Sequence, residues 1–580
     1  MTAVADVAPA VAAERPRVEA TRLRVPWGTL AVVAAAFPFL LALGHGDSAW
    51  IGNQGDAKLF AWYLDDVATS LRHGHLPLTT DLIDHPAGVN LLWNTSVLLL
   101  GVVATPLTLT LGPVFTYNVL VILGVGLSTL AAYVALCRFT HVRPAAALGA
   151  FVYGASPFIT SETVGHLHLA FAVYPPIALL LIDSVVRRNA RPWRAGALLG
   201  VATAAQLLIG EELVLLTAIG AGVGLAVAAS QHPASVRACM PRVLWMLASA
   251  SLAGGVLAAP ILAFQFFGPQ HLTAAMNTYL LNADAAGLVV PTPTRLLSPP
   301  WNGPAQAVEI TVDDAGAYIG IPVLVLIVVR WGRLVTDPRS RFALVTGAIA
   351  LVLSFGETLR VAGRSAGMPL PWAVLDQFPL VRDAAPARLT MVVDLMLALI
   401  VAVTAEHLVA QRFSARGRRP AIALLALGVA AILPVVPTTT TADTTPAFFT
   451  SAAARIPDGA NVLVLPWPDS TASEAMLWQM RAGMRWSMPA GEAFSSGATL
   501  DGTDSLLHAV ISDLDRRGIP VPDLGAVRSQ LAHDLLALHV DAIVVGPSPN
   551  ASRVESLLTT LLGVAPDHVE GVAVWWHVPA

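Results

Sequence analysis

Long apolar stretches alternate with short polar ones along this chain, and many of the apolar stretches approach membrane-spanning length. A helix that crosses a bilayer needs about 20 mostly apolar residues. The pattern predicts spans near residues 25–44, 114–136, 144–158, 168–186, 195–210, 213–230, 243–265, 317–330, 342–356, 389–411 and 420–437. One further apolar stretch, Asn90–Leu111, reads either as a span or as a helix lying in the interface.

The basic residues decide between these readings, because cytoplasmic loops of membrane proteins are enriched in Lys and Arg. If Asn90–Leu111 does not cross, every second loop is cytoplasmic, beginning with the N-terminus. Those loops hold 20 of the 34 basic residues, including Arg138, Arg143, Arg187, Arg188, Arg339 and Arg341, against 7 in the external loops. A crossing would send most of them outside. The expected topology is therefore about 11 spans, with a cytoplasmic N-terminus and an extracytoplasmic C-terminus. The first apolar segment is read as a span and not a signal peptide, since further spans follow and no clear A-x-A cleavage site ends it.

Composition narrows the class further. Of 580 residues, 55% are apolar and 12% charged, and mean hydropathy is +0.66. Soluble proteins carry about 25% charged residues. An ordinary soluble enzyme, a disordered chain and a disulfide-stapled scaffold are excluded; the two cysteines, Cys137 and Cys239, cannot build a disulfide framework. A net charge of −4 gives no reason to expect a nucleic-acid partner. Among the basic residues there is a single lysine, Lys58.

Residues 1–24 read as a disordered cytoplasmic N-terminus, and 25–437 as an α-helical polytopic membrane domain with a large external loop at 45–113. A Thr/Pro linker follows at 438–446. Residues 447–580 are less hydrophobic. Strands are expected within Asn461–Leu465 and Asp541–Val545, and helices within Ser505–Arg517 and Ala526–His539, which makes an extracytoplasmic α/β domain. With no recognisable nucleophile or phosphate loop, it reads as an accessory or acceptor-binding lid. No convincing internal repeat is present, which speaks against a transporter built from two similar halves.

The external loop 45–113 carries Asp47, Asp56, Asp65, Asp66, Asp81 and Asp84. Within it, Ala57–Arg72 has helical periodicity. Leu59, Tyr63, Val67 and Leu71 share one face, and Lys58, Trp62, Asp65, Thr69 and Arg72 another. Such a helix is expected at the membrane surface, its apolar side in lipid or on the bundle. Asp56 stands just before it. The carboxylate is either a helix cap or a catalytic group held at the membrane–water boundary.

Four further stretches carry a resemblance: His85-Pro86-Ala87-Gly88-Val89-Asn90-Leu91-Leu92-Trp93-Asn94, Gly165-His166-Leu167-His168-Leu169, Gln206-Leu207-Leu208-Ile209-Gly210-Glu211-Glu212 and Ala385-Pro386-Ala387-Arg388. With the acidic first external loop, they make the chain resemble the GT-C superfamily, and within it an actinobacterial-type subgroup. Those are multi-span glycosyltransferases that use polyprenyl-phosphate sugar donors. The resemblance covers most of residues 45–411. It implies a GT-C-like fold and maps the family's first-loop acid onto Asp56. A strict Asp-x-Asp or Glu-x-Asp is absent, since Lys58 occupies the third position; no cofactor is expected, and dependence on a divalent metal stays open.

Other external polar residues join the candidate site. His166 and His168 are expected to hydrogen-bond at the interface, including to a donor phosphate. An H-x-H pair on a helix points about 200° apart, so no shared metal is expected. Glu211 and Glu212, between apolar flanks, read either as an exposed turn or as carboxylates facing a cavity. Arg382 and Arg388 either snorkel or, with Lys58, bind the donor phosphate. Tyr279, Asp284, Asp313, Asp314 and Tyr318 belong to a loop, 266–317, expected to cover the cavity. The resulting expectation is a plasma-membrane hexosyl- or pentosyltransferase. It would move a sugar, with inversion, from the lipid donor to an extracytoplasmic glycan, glycolipid or protein, with membrane lipids around it. The rival is a non-enzymatic envelope lipid or polysaccharide transporter or assembly protein, for which Asp394 would be a mid-span charge.

Overall fold

The structure, a computed structural model, describes residues 25–52, 56–272, 281–292, 294–298, 316–379, 381–410, 415–435, 440–469, 472–494, 505–521 and 523–578. In the membrane part these form α1 (Trp27–Leu40), strand β1 (Ala49–Ile51), α2 (Asp56–Arg72), α3 (Leu98–Leu111), α4 (Pro113–Leu136) and α5 (Arg143–Gly154). The short α6 (Pro157–Glu162) and α7 (Leu167–Ala170) come next, then α8 (Tyr174–Val186), α9 (Pro192–Leu207), α10 (Glu212–Gln231) and α11 (Pro233–Phe267). After these come α12 (Ile321–Thr336), α13 (Pro338–Ser354), α14 (Thr390–Val409) and α15 (Ala415–Ile432).

Six helical segments among the described residues are long and apolar enough to cross a membrane: Trp27–His45, Pro113–Leu136, Leu167–Val186, Glu212–Gln231, Pro233–Phe267 and Pro386–Val409. The other five expected spans coincide with α5, α9, α12, α13 and α15, helices of 12 to 18 residues. Proline at the first turn of α5, α9, α12 and α13 starts each at a fixed φ without costing a helical hydrogen bond. The stretch Asn90–Leu111 resolves into a short turn and the 14-residue α3, roughly 21 Å long. Glycine lets α9 and α11 touch: a Cβ at Gly196 would lie 2.2 Å from the Met246 carbonyl oxygen, and one at Gly200 2.4 Å from that of Ala250.

Hydrogen bonds sort the loops between two ends of the bundle. At one end Arg188 donates to the Arg138 carbonyl at 2.9 Å. There too Arg339 donates to the Phe139 carbonyl at 2.6 Å and to Glu406 at 2.8 Å, and Arg341 to Gln231 at 3.3 Å. These are loops expected inside. At the other end Trp93 donates to the Gln265 carbonyl at 2.7 Å, and the Ala385 N–H to Glu212 at 2.9 Å. Reporters that work in the cytoplasm are therefore expected to be active when fused within 138–143 and 187–194, and externally active reporters within 440–446. A cytoplasmic signal from 440–446 would overturn the 11-span topology.

The C-terminal part packs β3 (Val462–Leu465) parallel to β4 (Ala542–Val545), with β6 (Val572–Trp575) and β5 (Asp567–Val569) antiparallel beyond it. Its helices are α16 (Glu474–Arg481), α17 (Leu506–Arg517), α18 (Leu524–Ala537) and α19 (Ala551–Leu562). Leu507, Ile511, Leu531, Leu535 and Leu558 close a hydrophobic core with Ile543 and Val545.

Two expectations change here. The segment read as a linker is tied down: Thr440–Ala442 forms strand β2, paired antiparallel with β1 of the first external loop. And α2 is not a surface helix. Ala57, Phe60, Ala61, Trp62, Tyr63, Leu64, Asp66, Val67 and Ala68 are all buried. Its supposedly polar face is covered by α16, where Trp62 donates to Gln479 at 2.8 Å; Gln479 in turn donates to the Leu82 and Trp486 carbonyls, both at 2.8 Å. Of the expected lid, Tyr279, Asp313 and Asp314 lie outside the described residues. Asp284 is structural, accepting from the N–H groups of Ala286, Ala362 and Gly363, and Tyr318 is buried at the entry to α12.

Candidate active site

Asp56 opens α2, where a carboxylate is favoured by the helix dipole. The chain before it is pinned by Gly52, whose φ of +96° and distance of 1.9 Å from a notional Cβ to the Val164 carbonyl oxygen admit no side chain. That contact sets the first external loop against the turn between α6 and α7. Across it, His166 Nε2 lies 3.2 Å from Asp56 Oδ2. The other ring nitrogen, Nδ1, lies 2.7 Å from Glu162 Oε2, on a side chain only 1% exposed. The imidazole thus bridges two carboxylates. Burial disfavours its charged form, but the hydrogen bonds to Asp56 and Glu162 outweigh this and hold its pKa well above the ordinary value.

The second histidine does not point away, as a helical H-x-H pair would. His166 precedes α7, with φ −96° and ψ 79°, so the helical spacing does not apply. The two rings meet edge to face with centroids 5.8 Å apart, and His168 leans on Phe60 of α2 at 5.5 Å. Gly210 closes the far side; a Cβ there would come within 2.9 Å of the His168 ring. His168 Nδ1 is buried, and among the described residues it has no hydrogen-bond partner.

Lys58, Arg382 and Arg388, the lysine and arginines expected to bind phosphate, each have a carboxylate nearby. Lys58 pairs with Glu474 of α16, and its ammonium lies 5.9 Å from the Trp50 ring centre. Arg388 pairs with Glu212 at the start of α10, and Glu212 also accepts from the Ala385 N–H at 2.9 Å. The charge of Arg388 opposes protonation of His166. Arg382 instead sits at the surface, 53% exposed and 3.9 Å from Asp383. Glu211 and Glu212 part company: Glu212 holds Arg388, whereas Glu211 is exposed and lines a small cleft of about 30 Å³ with Gln265 and Gly210.

Three carboxylates escape the sequence reading. Glu162 had a signal, since it lies four residues before His166, a spacing that puts side chains on one helical face. Glu474 and Glu492 come from the C-terminal part and had none. Glu492 is 9% exposed, and burial together with the nearby charge of Asp56 pushes its pKa well up. Asp394 is a cap: it accepts from the Phe158 N–H at the start of α6 at 3.1 Å. Among the described residues no group of three or more His, Cys, Asp or Glu side chains is arranged to hold a metal ion.

No family model matches the chain, and no curated protein matches it. Among solved structures, the mycobacterial arabinofuranosyltransferase AftD aligns with 95% of this chain at 15% identity and a TM-score of 0.54. The aligned region is 40% of that larger protein's length. An oligosaccharyltransferase from Archaeoglobus fulgidus aligns over 90% of this chain and 69% of its own, with 13% identity and a TM-score of 0.47. ArnT from Cupriavidus metallidurans aligns over 94% and 97%, with 12% identity and a TM-score of 0.43. At such identities the likeness is one of fold: over 95% of its length this chain shares the fold of the arabinofuranosyltransferase AftD.

Proposed function

We propose that this protein transfers a sugar from a polyprenyl-phosphate donor to an acceptor outside the cytoplasmic membrane, with Asp56 as general base. The observation that carries the reading is the Asp56–His166–Glu162 chain, in which a buried carboxylate orients a histidine that in turn orients the first-loop acid. Asp56 remains 31% exposed at its side chain, so an acceptor hydroxyl can reach it. In the proposed step Asp56 takes the hydroxyl proton as that oxygen bonds to the anomeric carbon. The bond from that carbon to the phosphate oxygen breaks, and the lipid phosphate leaves as an anion. Attack opposite the leaving group inverts the anomeric centre. Arg388 and His166, with Lys58 two residues along α2 from Asp56, supply positive charge where the phosphate develops its own.

The name of AftD describes arabinofuranosyl transfer, so arabinose is the first donor sugar to test, with mannose as the hexosyl alternative. Purified protein incubated with labelled polyprenyl-phosphate arabinose or mannose should pass label to an added envelope glycan, glycolipid or peptide. Absence of transfer from both donors to every acceptor would favour the assembly or transport reading. That rival loses its mid-span charge, since Asp394 serves as a helix cap.

The donor phosphate gives a separate expectation. Arg binds phosphate through a planar fork that Lys cannot reproduce, and a charge-assisted hydrogen bond is worth about 1.5–3 kcal/mol. Arg388→Lys should therefore raise the donor concentration needed for half-saturation on the order of tenfold, with acceptor saturation unchanged. Wild-type donor saturation in both Arg388→Lys and Arg388→Gln would remove Arg388 from the site and leave it as the partner of Glu212.

A further inference from the structure

A cavity of about 610 Å³ runs between α8, α10, α13 and α14 toward the end of the bundle away from Asp56. It follows α10 from Thr217 to Gln231, roughly 20 Å at the helical rise. Its walls are apolar: Ile182, Leu225, Phe342 and Met396 face into it. A half-open apolar cavity of this size between membrane helices calls for an occupant. An apolar wall does not hold ordered water, which leaves a hydrocarbon chain.

The mouth of the cavity has a different chemistry. Asp183 meets both Arg187 and Arg188, so two guanidinium charges share one carboxylate. That carboxylate is 4% exposed, while Arg187 and Arg188 keep 44% and 43% of their side chains accessible. Arg339 is matched by Asp337 and Glu406 and leaves no excess. The surplus positive charge therefore sits on the Arg187–Arg188 pair, of which Arg187 lines the channel and Arg188 is its chain neighbour. A group with a hydrocarbon tail and an anionic head satisfies both parts.

We propose that this cavity binds an anionic phospholipid, an acyl chain lying between α8, α10 and α13 and the phosphate on Arg187 and Arg188. Its head-group end, at Arg187, lies at the opposite end of the helices from the Asp56 cluster, where the sugar donor would be held. A zwitterionic lipid of the same chain length fills the channel equally but brings an ammonium group to the arginines.

Native mass spectrometry of the full chain in detergent, with phosphatidylglycerol or phosphatidylcholine of identical acyl chains, tests this. Phosphatidylglycerol adducts should be retained at least tenfold better. Arg187→Gln/Arg188→Gln should bring retention down to the phosphatidylcholine level with an unchanged gel-filtration profile. Should that double variant fail to fold, the milder Arg188→Gln should lower retention about threefold, and Ala221→Leu, which adds carbon inside the channel, should reduce both lipids. Equal retention of the two lipids, or undiminished phosphatidylglycerol binding in folded arginine variants, would overturn the proposal. So would displacement of phosphatidylglycerol by equimolar undecaprenyl phosphate, since the channel would then belong to a polyprenyl lipid.

Discussion

Asp56→Asn is expected to lower sugar transfer on the order of 10²–10⁴-fold, the usual consequence of removing a general base. The substitution keeps the size of the side chain and its ability to hydrogen-bond to His166, which Glu162 continues to hold. What it removes is the proton acceptor. Loss of a favourable charge at a helix start costs only about 0.3–1 kcal/mol, so folding should change by about 1 kcal/mol or less. Rate measurements on the labelled donor, paired with denaturant unfolding in detergent, separate the outcomes. A variant with full activity and lowered stability would identify Asp56 as a structural carboxylate alone.

Trp62→Ala is expected to show the largest effect on stability, about 3–5 kcal/mol, typical for truncating a buried aromatic side chain. Trp62 has no exposed surface and joins α2 to the C-terminal part through Gln479, itself fully buried. Truncation opens a cavity and leaves the Gln479 carbonyl oxygen without its donor, an added cost of about 1–3 kcal/mol where no water enters. Trp62→Phe should cost less, because it keeps most of the packing. A loss below about 1 kcal/mol for Trp62→Ala would mean that the C-terminal part does not clamp α2.

The two predictions concern neighbouring residues of one helix, yet they differ in how far the sequence exposed them. Asp56 was marked by its place before an amphipathic run in an acidic external loop, a local pattern. Trp62 was misassigned for the same reason: helical spacing puts it with Lys58, Asp65 and Thr69 on the face read as polar. Periodicity reports how residues are distributed around one helix. It does not report that a second apolar surface, more than 400 residues later, closes over that face.

The sequence by itself determined what is local or additive. Apolar run length placed the helices of the bundle, because hydrocarbon forces every backbone polar group to be satisfied within its own segment. Basic residues grouped the loops as the structure later gathers them at one end. Short apolar runs located β3 and β4. The tertiary structure alone decided which charges meet. Glu474 on Lys58, Glu212 on Arg388 and Glu492 near Asp56 join segments separated by 170 residues or more. Pairings at such separations are fixed by how helices pack and which groups packing desolvates, and neither quantity is written in a window of sequence. For the same reason His166 and His168 converge: the backbone leaves the helix at His166, and only the close approach of Gly52 to Val164 brings Asp56 within reach of it.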